Sequence, residues 1–426
     1  MKIFCSGIGG IGLSAYASHM RERGHAVSGS DAADSALLDV LRAEGMNISL
    51  TQDGSSIPED TELFVYSEAI PEDSPERAEA KRRGIHRISY FQAIGELTSG
   101  TNLIAVCGTH GKSSTTAMAA SLLIEAGLDP NIIVGTKLPS LDGRNWRRGL
   151  SDLWIVEACE YRRSFLHLKP NTILLTNADG DHFDYFNDAN DYRNAFIEFV
   201  SGLPETGTII VHGNDVQSMT IVREARRNFL DADLFEMPVL SVPGEHMKKN
   251  AQLVLALSDQ MKIPETITAR ALKSYAGSWR RMEERGTVQG ITIVDDYAHH
   301  PLEIGATLAA MKSAYPKRRI VAVFQPHTHS RTLKLWNDFT QAFSDADAVM
   351  LLDVYGARAE KDTKKADVAS LAADISKYSG KNCDVLGSIS NAAQLLCADA
   401  AKSGDVIVVM GAGDSTKLSD LLMKNL

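Results

Sequence analysis

Short apolar runs recur along this chain at the length of buried strands, and stretches of helical period lie between them. From Met1 to about Ser99, the runs Ile3 to Ser6, Ala26 to Gly29 and Leu63 to Tyr66 alternate with helical patterns such as Ala36 to Glu44. A second set begins at Asn102: the run Leu103 to Cys107, a helical pattern over Thr115 to Ala126, then Leu153 to Ala158, Thr172 to Asn177 and Thr208 to His212, ending near Tyr275. The third set, from Ala276, carries Ile291 to Val294, Ile320 to Phe324, Ala348 to Leu352 and Val406 to Met410. Strands alternating with helices predict an α/β fold of mainly parallel sheets, divided into three domains at 1–99, 100–275 and 276–426. No short-period repeat or long low-complexity tract interrupts the pattern, and Lys361 to Lys365 reads as a polar loop.

Composition narrows the picture without naming a chemistry. A chain of 426 residues exceeds what one core serves, which agrees with several domains. With 44 basic and 54 acidic residues the net charge is −10, which argues against nonspecific binding to nucleic acid or anionic membrane. Any anionic substrate must therefore be met by local clusters. Cys5, Cys107, Cys159, Cys383 and Cys397 are odd in number and lack paired metal spacing, so buried thiols and a reducing, cytoplasmic setting are expected. Four glycines between Gly7 and Gly12 break what would otherwise resemble a signal-peptide core, and no apolar run is long enough for membrane insertion.

The chemistry concentrates where strands end. After Leu103 to Cys107 comes Gly108-Thr109-His110-Gly111-Lys112-Ser113-Ser114, a turn whose small residues let backbone N–H groups converge on a phosphate. Lys112 adds a cation and Ser113 a hydroxyl suited to Mg²⁺. The loop is shorter than the usual phosphate loop, since the glycine required five residues before Gly111 is replaced by Val106. At the amino terminus, Gly7-Ile8-Gly9-Gly10-Ile11-Gly12 satisfies the dinucleotide fingerprint, with Asp31 at the distance of a ribose-binding carboxylate. Two phosphate-type turns are more than a simple dehydrogenase needs; a nucleotide-carrying substrate on the first and ATP on the second account for both.

Other strand ends supply carboxylates and imidazoles. Glu157 and the cluster Asn177-Ala178-Asp179-Gly180-Asp181-His182 are candidate Mg²⁺ ligands, with Ser113 and Glu157 the better chemical fit. Asp295-Asp296-Tyr297-Ala298-His299-His300-Pro301 lacks the i, i+4 spacing of a helical zinc site, so contacts to substrate or nucleotide are expected instead. Arg280 and Arg281 are candidate phosphate contacts, Lys317-Arg318-Arg319 reads as a solvated turn, and Gln325 to Arg331 is a candidate for positioning a substrate.

Together these residues resemble the Mur ligases of peptidoglycan synthesis. The likeness spans almost the whole chain and rests on Gly7 to Ser14, Gly108 to Ser113, Asp181-His182, Asp295-Asp296-Tyr297 with His299-His300-Pro301, and Phe324 to His327 with Arg331-Thr332. The resemblance implies a Rossmann-like first domain that binds a UDP-sugar, a central ATPase-like domain that binds ATP and Mg²⁺, and a Rossmann-like third domain that closes over them and helps bind an amino acid. It implies joining of L-alanine to the carboxylate of UDP-N-acetylmuramate through an acyl phosphate, with ADP and phosphate released, by a monomer or homodimer. By the same likeness Gly7, Gly9, Gly10, Ile11, Gly12, Asp31 and Ser67 bind the UDP-sugar, and Gly108 to Ser114 hold ATP. Lys112, His182 and Arg281 are catalytic, Ser113, Glu157 and His182 hold metal, and Asn250, Arg281 and Asp296 meet ATP. Tyr297, His299, His300, His327 and Arg331 position the amino acid or substrate.

The chain also departs from the family pattern. His246-Met247-Lys248-Lys249-Asn250 lacks one expected amide near adenine, and Ala158-Cys159-Glu160 with Tyr161-Arg162-Arg163 replaces the usual Ala-Asp-Glu stretch. Phe196 stands where several relatives carry a carbamylated lysine, which favours the alanine-adding branch. Three other readings follow from the same residues: a ligase that attaches a recycled murein tripeptide to the same UDP-sugar, an NAD-dependent dehydrogenase built on the first glycine loop, and an idle nucleotide-binding partner protein.

Overall fold

A computed structural model describes residues 1–181, 185–356 and 364–426, apart from the side chain of Asp399. Residues 361–363 of the expected polar loop lie outside these. The first sheet comprises β1 (Lys2–Ser6), β2 (Ala26–Ser30), β3 (Asn47–Ser49), β4 (Leu63–Tyr66) and β5 (His86–Ser89), all parallel in the order 3-2-1-4-5. The second comprises β6 (Asn102–Cys107), β7 (Asn131–Leu138), β8 (Arg144–Arg147), β9 (Leu153–Glu157), β10 (Thr172–Leu175), β11 (Thr208–Val211) and β12 (Phe229–Asp231), in the order 12-11-10-6-9-7-8 with only the β7–β8 pair antiparallel. The third comprises β13 (Glu283–Val288), β14 (Ile291–Asp296), β15 (Ile320–Phe324), β16 (Ala348–Leu352), β17 (Cys383–Gly387) and β18 (Val406–Met410), in the order 13-14-18-15-16-17 with β13 antiparallel.

The expected α/β class and parallel sheets are therefore present. Central strands such as β6, β15 and β18 are buried almost throughout, as strands covered on both faces by helices must be. The chain divides into two compact units, Met1–Glu236 with Ala251–Leu272, and Met237–Asn250 with Lys273–Leu426. The first two sheets share the former unit. No helix among the described residues is long and apolar enough to cross a membrane. All five cysteines are free, with Cys5 and Cys107 buried as expected but Cys159, Cys383 and Cys397 only half-buried.

In the first unit one continuous apolar cluster runs from Ile3, Cys5 and Val65 of the first sheet to Leu103, Trp154 and Phe196 of the second region, beside a smaller one of Phe4, Ile57, Phe64 and Ala80. The helix Ile11–Glu22 explains this continuity, because its residues Leu13 to Met20 are all buried rather than confined to one stripe. His19 on this helix is fully buried and packs edge-on against Trp154 at 4.9 Å and Trp146 at 6.0 Å. Burial, aided by Arg23 and Arg148, lowers its pKa to about 3.

The folded state thus holds His19 neutral while the unfolded chain takes up a proton near pH 6.5. Stability contributed by this site is complete above that pH and falls as the pH drops toward 3. Between pH 7 and pH 5 the loss is about 2 kcal/mol. Urea titrations at both values are expected to show a correspondingly shallower pH dependence in His19→Leu than in the unaltered chain.

Candidate functional site

Strand β6 delivers the chain to the phosphate-type loop, and the helix Lys112–Glu125 begins at its end, three residues before the expected helical pattern. Gly108 has φ of +140°, and a Cβ there would collide with Thr176 Oγ1 and crowd Asn177 O; only glycine fits this bend. The loop is stapled from β10's end: Asn177 O accepts from Thr109 N at 3.1 Å, Asn177 Oδ1 accepts from His110 N at 2.9 Å, and the Asn177 amide donates to His110 O at 3.1 Å. Asn177 is thereby a brace of the loop, a role its position in the Asn177 to His182 cluster did not reveal.

Lys112 Nζ donates to Thr109 O at 3.0 Å and to Gly108 O, and it pairs with Glu160 at 3.0 Å. Burial alone would depress this ammonium's pKa, but the Glu160 carboxylate raises it above the ordinary lysine value. Ser113 Oγ donates to Glu157 Oε1 at 2.9 Å. Glu157 Oε2 accepts from Gly135 N at 2.7 Å, an approach that a side chain at position 135 would block. Ser113 and Glu157 therefore meet as an oxygen-rich pair that suits a small hard cation bound with water and phosphate oxygens. Among the described residues no three His, Cys, Asp or Glu side chains cluster for a metal. His182, expected as a second metal ligand and catalytic residue, lies outside the described residues. Three positions earlier in the sequence, Asp179 is raised in pKa by its own burial.

The first sheet gathers Gly7, Gly9, Gly10, Ile11 and Gly12 after β1, Asp31 after β2 and Ser67 after β4. Gly7 N and Ile8 N donate to Ser30 O. Asp31 accepts from Gly9 N and from Ala32 N, both at 2.8 Å, so its carboxylate braces the glycine loop. Arg162 and Arg163, just past Glu160, both adopt left-handed φ near +55°. Such strain is held only where surrounding contacts impose it: Arg163 pairs with Asp191 and Glu198, and Arg162 donates to Glu68 O at 3.2 Å.

In the second unit the paired arginines separate in role. Arg280 is 4% exposed, with its guanidinium donating to Asp295 Oδ1, Gly413 O, Gly411 O and Ser415 Oγ. The expectation that it could contact a phosphate is corrected: every arm is spent inside the unit. Arg281 lies over the Tyr297 ring at 5.0 Å. Asp296 accepts from Met282 N and Ala298 N, and burial pushes its pKa up to about 6. His246 is lowered in pKa by burial, and Met247 and Asn250 are both buried in the same helix, Glu245–Gln260.

His299 stands 3.3 Å from Glu303 and its ring is 6.0 Å from that of His327. His327 contacts Arg331 Nη1 at 3.1 Å and stacks on Tyr355 at 5.7 Å. Tyr297, His299, His327 and Arg331 are thus brought together, with Tyr355 an addition whose only signal was its place just after β16. His300 instead caps the helix Pro301–Ala314, its Nδ1 accepting from Leu302 N at 3.3 Å. The ring thus has a structural task through Nδ1 at the start of this helix. Lys317 to Arg319 is also corrected, because Arg318 donates to Gly404 O, Asp405 O, Gly290 O and Thr292 Oγ1 and so stitches two turns together rather than only facing solvent.

The chain matches the catalytic domain of the Mur ligase family over residues 2–101, the Mur ligase middle domain over 106–237 and the Mur ligase glutamate ligase domain over 280–413. It is 34% identical to the UDP-N-acetylmuramate–L-alanine ligase of Clostridium novyi, covering 99% of this chain and 97% of that one. To the ligase of the same description from Clostridium kluyveri it is 37% identical, over 99% and 98%. Among solved structures it resembles the UDP-N-acetylmuramate-alanine ligase of Thermotoga maritima, with 26% identity, a TM-score of 0.82 and coverage of 100% and 98%. A murein peptide ligase from Psychrobacter arcticus shares the fold at 24% identity and a TM-score of 0.75, over 100% and 98%.

Arg280 and Arg281 are expected to respond unequally to substitution. Arg280→Met removes the hydrogen-bonded partner of the buried Asp295 carboxylate, leaving it only the longer Arg285 contact, and is expected to destabilise the protein by about 3 kcal/mol, whereas Arg281→Met is expected to lower the urea midpoint by less. Equal midpoints for the two variants would contradict the structural role of Arg280.

Proposed function

The chain belongs to the Mur ligase family, and from that membership we propose that it joins L-alanine to the carboxylate of UDP-N-acetylmuramate at the expense of ATP. The observation that carries this reading is the near-full-length similarity to curated ligases of that specificity. The functional division we assign is UDP-sugar binding to 1–99, ATP binding to 100–275 and amino-acid binding to 276–426. ATP and UDP-sugars are cytoplasmic metabolites, so the reaction belongs in the cytoplasm. Neither the tripeptide ligase nor the dehydrogenase is favoured: the peptide ligase likeness is one of fold, and Asp31, on which the dinucleotide reading leaned, is engaged by the glycine loop itself.

A carboxylate is a poor electrophile, so amide formation requires a leaving group. The substrate carboxylate attacks the γ-phosphorus of ATP, giving an acyl phosphate and ADP. The alanine amine then adds to the acyl carbon, and the tetrahedral intermediate collapses to amide and inorganic phosphate. Two anions must approach each other in the first step, so the protein's contribution is alignment and charge stabilisation. In this reading the loop amides from Gly108 to Ser114 hold the phosphates, and Lys112 faces the transferred group. Asn250, Arg281 and Asp296 complete the nucleotide contacts. Ser113 and Glu157 are the residues that would hold Mg²⁺, which when bound screens phosphate charge. Tyr297, His299, His327 and Arg331 orient the amino acid, and exclusion of water protects the acyl phosphate.

Phosphate release in the presence of UDP-N-acetylmuramate, ATP and Mg²⁺ tests the proposal. L-Alanine is expected to drive release while the L-Ala-γ-D-Glu-diaminopimelate tripeptide does not; the reverse result would replace this reading with the peptide ligase. Lys112→Ala should reduce turnover by a factor on the order of 10² or more. Near-normal turnover in that variant would remove Lys112 from the mechanism.

A further inference from the structure

The roles assigned above leave Glu160 without one. Its side chain is wholly buried, and its carboxylate lies 3.0 Å from Lys112 Nζ. The Tyr192 hydroxyl reaches Glu160 Oε1 at 3.5 Å and Thr109 Oγ1 at 2.8 Å. Thr109 belongs to the phosphate loop and accepts in turn from Gly180 N. A chain of polar contacts therefore links Lys112, Glu160, Tyr192 and the loop, inside a wall formed by Phe186 and Phe196 against the Tyr192 ring. Burying a carboxylate beside an ammonium is a poor way to gain stability, since an apolar pair of the same volume commonly does as well. The pairing makes sense where the direction of the cation matters.

We propose that Glu160 is a positioning residue that aims the Lys112 ammonium across the loop toward the site of the transferred phosphate, with Tyr192 fixing the carboxylate. This rests on the ATP role proposed for Lys112. The ammonium is held by Gly108 O, Thr109 O and Glu160. Phosphate oxygens replace the carbonyl contacts when ATP binds, and the Glu160 contact keeps the amine from swinging out of line. Glu160 also competes with phosphate for the same cation, so it favours alignment at some expense of nucleotide affinity. Loss of its charge should separate these two effects.

The test measures ATP affinity by calorimetry and kcat by phosphate release for Glu160→Gln, Tyr192→Phe and Lys112→Ala. In Glu160→Gln, kcat is expected to fall at least about tenfold, the scale of one preorganised charge, while the Kd for ATP stays level or tightens. Tyr192→Phe, which preserves the ring, should show the same pattern with a loss of about threefold, and it decides the matter if Glu160→Gln fails to fold. An unchanged kcat, or an ATP affinity that weakens in step with kcat, overturns the inference, because the latter is what a merely structural support would produce. If Lys112→Ala turns over normally, the phosphate-gripping role fails and the inference with it. If Lys112→Ala is inactive and Glu160→Gln is normal, only the inference fails.

Discussion

Parallel strands carry all of their carboxyl ends to one edge of a sheet, and that geometric constraint governs where chemistry appears in this chain. The glycine loop follows β1, Asp31 follows β2, Ser67 follows β4, and the phosphate loop follows β6. Glu157 ends β9, Asn177 follows β10, and Asp295 and Asp296 end β14. Within each sheet, residues far apart in sequence are therefore brought to the same edge without any contact having to specify their meeting individually. The helix that follows each strand then turns its amino terminus toward the same edge, which makes that edge receptive to anions.

Electrostatics had to be solved locally, because the chain as a whole is acidic. The structure does so by bracing cations with carboxylates. Lys112 is held by Glu160, and Arg280 and Arg285 share Asp295. Each pairing orients a positive group in partly desolvated surroundings. Backbone carbonyls finish the work, at Gly108 and Thr109 for Lys112 and at Gly411 and Gly413 for Arg280.

The interior strands were legible in the sequence because burial on both faces demands continuous apolar runs, as in Ile320 to Phe324 and Val406 to Met410. Every edge strand of the three sheets escaped notice: β3, β5, β8, β12, β13 and β17 keep exposed or half-exposed positions and so lack that signature. β7 was hidden for a different reason, since Gly135, Thr136 and Lys137 interrupt its apolar stretch. At the site, glycine loops and the carboxylate at β9's end were readable because their residue types are unusual at strand termini. What could not be read was partnership. Glu160 stood beside the Cys159 departure from the family pattern with no partner in view until Lys112 appeared beside it, and nothing in the sequence showed that the His300 ring nitrogen meets a helix end.

The core that passes without a break from the first sheet to the second also limits how this polypeptide can be taken apart. Expressed by itself, the leading hundred residues would present to water the side of Ile11–Glu22 that now rests on Trp146 and Trp154. Such a fragment would be sticky and prone to precipitation, so exchange of this leading module between homologues should succeed only when the crossover carries the matching tryptophan-bearing hairpin and strand along with it.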